Sequence, residues 1–141
     1  MTDAKTTTAT IIPTLRYRDA VTAIDWLCRA FGFEKYLVVP GDDGGIAHAQ
    51  LVYGNGMIML GSARDDSFGK LQAPLSTVDG PVSQSPYIIV QNDLDEHHKQ
   101  AVAAGAQIVM PPEDQDYGGR LYSCRDPEGN LWNFGSYDPW I

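Results

Sequence analysis

Apolar and β-branched positions fall in short clusters, two longer stretches carry helical spacing, and turns rich in Gly, Pro, Asn and Asp separate them. Residues 9–17, with Ile11, Ile12, Leu15 and Tyr17, predict a strand that Arg18-Asp19 interrupts. A helix follows. Asp19 is placed to cap it, Ala20, Ile24, Leu27, Cys28 and Phe31 recur at helical spacing, and Gly32 stands at the stop. Its apolar stripe should cover a sheet. Residues 33–39 predict a second strand, ended by Pro40-Gly41-Asp42-Asp43-Gly44-Gly45. Residues 46–53 and 57–60 flank Gly54-Asn55-Gly56, whose Asn-Gly pair favours the tight primed turns of antiparallel hairpins.

The second half runs in the same order. Residues 87–91 predict a strand, and residues 93–104 a helix with Leu94, His98, Ala101 and Val102 on one face and Gly105 after it. Residues 107–110 predict a strand stopped by Pro111-Pro112, and 120–125 another. Asp126-Pro127-Glu128-Gly129 has the residues of a type I turn, and 131–137 closes the set. Each half therefore reads strand, helix, strand, strand, strand, a repeat of architecture with little matching sequence. The expected fold is α+β in a single domain. Module one spans about 9–61, a connecting segment 62–85 and module two about 86–137. The connection has little periodicity, and stretches of that length act as lids, arms or linkers; a ligand cover and a solvated linker with a short helix around 65–71 are both open.

With 141 residues, a chain of this kind can bury a core without metal or disulfide staples. Cys28 and Cys124 stand far apart with no CxxC pairing and read as reduced thiols. Eighteen acidic against ten basic residues give a formal charge of −8, which repels phosphate backbones and argues against a nucleic-acid partner. No apolar run approaches membrane-spanning length, and no signal-peptide core stands near the N-terminus, so the expected address is the cytoplasm with no membrane partner.

Few groups carry chemistry. His48 shares a strand face with Gln50, and a histidine titrates near working pH, so it is the single candidate general base, against the competing reading of a satisfied structural histidine. Arg16 alternates with Leu15 and Tyr17; it fits a bidentate clamp on carboxylate or phosphate, or an ordinary surface ion pair. Tyr117-Gly118-Gly119-Arg120 places a stacking group and an anion binder around two glycines, whereas Met57, Met59 and Leu131 suit an apolar floor or plain core. His97 and His98 diverge by about 100° on their helix, so one is expected to pack and the other to be solvated. Trp132 and Phe134 read as core. Cys124 has no neighbouring His to activate it as a nucleophile. Asp42-Asp43, Asp65-Asp66 and Glu113-Asp114 with Asp116 read as solvated loops.

Tyr17-Arg18-Asp19-Ala20, Ala23-Ile24-Asp25-Trp26-Leu27 and Ala30-Phe31-Gly32-Phe33, followed by Asp126-Pro127-Glu128-Gly129-Asn130-Leu131-Trp132, resemble the glyoxalase, bleomycin-resistance and dioxygenase group, the vicinal oxygen chelate superfamily. The resemblance spans essentially the whole chain. It implies two βαβββ modules forming a curved mixed sheet around a cup, a small-molecule ligand and a homodimer. Metal-dependent members project four His or Glu side chains into the cup. The corresponding positions fall near Ile12, Met59, Pro86 and Asn133, and a slip of one residue gives Pro13, Leu60, Tyr87 or Phe134. Neither set suits a hard or borderline divalent ion; a lone Met thioether suits soft copper.

The resemblance therefore implies a metal-independent binder of a drug or metabolite, with no cofactor. Its expected ligand contacts are Arg16, His48, Gln50, Met57, Met59, Tyr117, Arg120 and Asn133. In a drug-binding member the acidic clusters would favour a cationic ligand. The alternative is a metal-dependent lactoylglutathione lyase or ring-cleaving dioxygenase. A third reading is a protein-interaction module using Trp26 and Trp140.

Overall fold

A computed structural model describes residues 8–75 and 81–141. Its strands are β1 (Thr14–Tyr17), β2 (Glu34–Pro40), β3 (Ile46–Tyr53), β4 (Gly56–Ser62), β5 (Tyr87–Ile89), β6 (Gln107–Asp114), β7 (Arg120–Arg125) and β8 (Leu131–Gly135). Helix α1 spans Ala20–Phe31 and α2 spans Leu94–Ala103, and a single 3₁₀ turn covers Phe68–Lys70. The strands form two four-stranded mixed sheets of identical topology, β1-β4-β3-β2 and β5-β8-β7-β6. In each, the strand before the helix runs parallel to the last strand, and the remaining pairs are antiparallel. This is the α+β pattern of paired βαβββ modules.

Both helices start and stop where their sequence dictates. The Asp19 carboxylate accepts from Thr22 N at 3.1 Å and the Asp93 carboxylate from Glu96 N at 3.2 Å, each meeting an orphan donor of a first turn. After α2, Gly105 takes φ +97°, Ala106 N donates to Ala101 O and Gly105 N to Val102 O, the Schellman closure that a glycine permits.

Three local expectations are corrected. The first strand begins at Thr14 rather than residue 9: Pro13 has no N–H for the ladder, and Ile11 stays 87% exposed. Pro111 and Pro112 do not stop β6, which runs on to Asp114; it is an edge strand, and a register shift between Met110 and Glu113 takes up both residues. In the β3–β4 hairpin Tyr53 pairs with Gly56, so the turn's central residues are Gly54 and Asn55 rather than Asn55 and Gly56. Gly54 alone takes positive φ, +56°, as a primed turn with glycine first requires.

The contacts group the chain into two compact units: one holds the described residues up to Ile24 together with Gly32–Pro74, the other Asp25–Phe31 together with the described residues from Leu75 to Ile141. In the first unit, Tyr17, Ala49, Leu51, Ile58 and Leu60 line the buried face of the sheet. In the second, Tyr122, Cys124, Trp132 and Phe134 do so, and the second half of α1 packs with them. Phe31 lies 4.6 Å from Phe134 and 5.4 Å from Trp132 between ring centroids, and Trp26 Nε1 donates to Ala104 O at 2.7 Å. Trp26 is 5% exposed, whereas Trp140 is exposed.

Candidate functional site

Strand alternation gives the first sheet a second face, opposite its core. Thr14, Gln50 and Met59 stand abreast on it, because β1, β3 and β4 pair Thr14 with Met59 and Gln50 with Met59. Arg16, His48, Val52 and Met57 continue the same face, half-buried. The Gln50 amide donates to His48 Nε2 at 3.0 Å, which makes that ring nitrogen an acceptor. Five of the sequence-nominated residues, Arg16, His48, Gln50, Met57 and Met59, therefore share one sheet face.

At the end of this face a recess of about 300 Å³ opens among Arg16, Gly41, Asp43, Ile46, Ser62 and Arg64. Arg16 pairs across the ladder with Gly61, whose missing side chain leaves the guanidinium room: a Cβ there would meet Arg16 Nη1 at 2.5 Å. Arg16 Nη1 donates to Ser62 O at 3.0 Å, while its Nε is buried without a hydrogen-bond partner among the described residues. Burial and the neighbouring Arg64 charge lower the Arg16 pKa.

The segment after β4 folds back here. Phe68 lies under both guanidinium groups, at 5.7 Å from Arg16 and 5.5 Å from Arg64, and Gln72 Nε2 donates to Thr14 O at 3.0 Å. Gln72 Oε1 is a second buried polar atom without a partner among the described residues. Arg64 is anchored through Nε and Nη2 to Asp66. Arg64, Phe68 and Gln72 lie in the connecting segment, whose weak periodicity points only to a short helix around 65–71 and singles out none of the three.

The remaining nominated residues belong to the second unit. Asn133 is fully engaged: its Oδ1 accepts from Ser123 Oγ at 2.7 Å, and its Nδ2 donates to Ser85 Oγ and Pro86 O. Arg120 donates to Asp95 and Asp114 at 3.0 and 2.9 Å, and these carboxylates raise its pKa. Tyr117 is exposed and stands edge-on to Tyr137 at 5.2 Å. The Gly118-Gly119 pair is needed there: Gly119 has φ +73°, and a Cβ would meet Tyr137 N at 2.6 Å.

Two further groups are structural. His97 Nε2 donates to Phe31 O at 2.8 Å, and Tyr122 Oη then donates to Nδ1 at 2.7 Å; desolvation lowers the His97 pKa. Both His97 and His98 are half-buried, so neither is the solvated one of the pair. Cys124 is fully buried, and burial pushes its thiol up to about 12, far from a reactive thiolate.

The residues at the family's metal positions do not fit a hard or borderline divalent ion. Ile12 precedes β1, Met59 pairs with Thr14, Pro86 precedes β5, and Asn133 is held by its neighbours. Among the described residues no three His, Cys, Asp or Glu side chains approach one another as a metal-holding group.

This fold, with its polar sheet face, defines a class. The chain belongs to the Glyoxalase/Bleomycin resistance protein/Dioxygenase superfamily, whose sequence profile matches residues 9–134. It is 35% identical over 127 residues to an uncharacterized Mycobacterium bovis protein, Mb0911c, covering 87% of this chain and 80% of that one. Among solved structures, TioX from Micromonospora sp. ML1 is 36% identical with TM-score 0.70, covering 90% of this chain and 97% of that chain. The fosfomycin resistance protein FosX from Listeria monocytogenes, in a complex with Mn(II), shares the fold at 14% identity and TM-score 0.67, covering 93% of this chain and 91% of that one.

Proposed function

We propose that the protein binds a small organic molecule, a drug or metabolite, against the polar face of the first sheet, and does so without the metal ligand set of its superfamily. The observation that carries this reading is the convergence of Arg16, His48, Gln50, Met57 and Met59 on one half-buried face. A sheet face that mixes a few polar anchors with apolar floor residues has the composition of a small-molecule site. The family name and the fosfomycin resistance neighbours support a ligand of drug size. His48 is the one candidate for acid–base work, because Gln50 fixes the orientation of its ring. A homodimer in the cytoplasm is the proposed setting.

A thermal-shift screen of small molecules, followed by titration calorimetry, tests the proposal. His48→Ala should weaken a hit by roughly tenfold with little loss of fold stability. Unchanged affinity in both His48→Ala and Gln50→Ala overturns the placement. The fold shared with a Mn(II)-bound resistance protein keeps a metal-dependent lyase or dioxygenase as the alternative. Elemental analysis of tag-free protein decides between them: stoichiometric Ni, Zn, Mn or Fe supports the alternative, and its absence in a protein that retains ligand supports the binder.

A further inference from the structure

We propose that the recess between Arg16 and Arg64 binds an oxyanion, a carboxylate or phosphate group carried by the ligand of the first sheet. The inference rests on that reading for the ligand, but the anion site can be tested alone. Arginines are rarely buried without an acidic partner. Here Arg16 makes no ion pair with any described residue within 4.0 Å, although acidic residues outnumber basic ones in this chain. Its Nε is a buried donor with no hydrogen-bond partner among the described residues, and the Arg64 charge acts on Arg16 more strongly than the opposing charge of Asp66. Asp66 already pairs with Arg64, so the charge left to be matched over this ring is that of Arg16.

The nearby carboxylates are already in use. Asp66 holds Arg64 and accepts from Gly69 N, and Asp43 Oδ1 accepts from Gly45 N. The Ser62 hydroxyl accepts from Ile46 N at 2.9 Å, and its own proton is available to donate to a bound anion. A planar carboxylate or a tetrahedral phosphate both satisfy a guanidinium fork, and both exploit the same orphan donor.

Arginine side-chain Nε resonances of nitrogen-15-labelled protein read the site directly. Separate titrations with inorganic phosphate and with acetate, at ionic strength held constant by chloride, distinguish the two sources. The Arg16 Nε signal should shift saturably with at least one of them and not with chloride. Arg64→Gln should weaken that binding by roughly tenfold, and Gly61→Ala, which displaces the Arg16 guanidinium, by at least as much. A shift that matches the chloride control, or saturation unaffected by both substitutions, overturns the anion site. An organic hit that perturbs His48 and Gln50 but leaves Arg16 Nε unmoved removes the anion inference alone. Phosphate saturation at Arg16 with no organic hit removes the small-molecule reading instead.

Discussion

Asp126 is the residue on which the closing turn depends. Its carboxylate, 4% exposed, accepts from Glu128 N and Asn130 N at 3.0 Å and from Trp132 Nε1 at 3.1 Å. Replacing it by Ala strands those buried donors and should cost about 2–4 kcal/mol, read as a lower urea midpoint. His97 carries a pH dependence with a definite sign. Its folded pKa lies below the unfolded value, because burial desolvates the ring and His98 stands beside it, and together these outweigh the bond to Phe31 O, which favours the protonated ring. Its contribution is therefore complete above about pH 6.5 and is lost as pH falls toward the folded pKa. Urea midpoints measured between those limits should fall with acid more steeply in the parent protein than in His97→Gln. Cys124 should resist thiol reagents in the folded state, so native protein should titrate at most one of its two thiols, Cys28 first.

At the level of elements, the caps decide the helices. Asp19→Ala removes both the Thr22 N and Thr22 Oγ1 contacts and should destabilise the fold by about 1 kcal/mol, visible as a small drop in Tm. The strands were legible wherever alternation was clean: Ile46–Tyr53 and Arg120–Arg125 match the boundaries the residues indicate. They were misjudged where proline was weighed as a stop without regard to position. Pro111 and Pro112 do not end β6 because, among the described residues, β6 pairs with β7 alone, so one missing N–H can lie on the outer side, and the register shift between Met110 and Glu113 takes the other out of the ladder. Which strand lies at an edge is a property of the assembled sheet. Sequence alone could not supply it.

On the scale of the molecule, the second half of α1 is part of the second unit's core. Phe31 touches Phe134 and Trp132, and its carbonyl holds His97. Phe31→Ala should therefore cost about 3–5 kcal/mol and release hydrogen-exchange protection in β7 and β8, strands more than 80 residues away in sequence. The family motif around Trp26 is explained by the same packing. Trp26 serves the interior through Ala104 O, and the interaction surface once open to it is closed.

The sequence by itself determined the element order, the two-module repeat, the helix caps and the strand face shared by His48 and Gln50. Those features rest on periodicity and capping, which act over a few neighbouring residues. That Arg16 joins the face of His48 and Gln50 rests on the pairing of β1 and β3 with β4. Only the tertiary structure decided where Arg64, Phe68 and Gln72 lie, that Asn133 and Arg120 are held by their own neighbours, and that Arg16 makes no ion pair with any described residue. Such facts depend on contacts between residues distant in the chain. No local pattern encodes them, because burial and pairing are fixed only once the strands have found their partners.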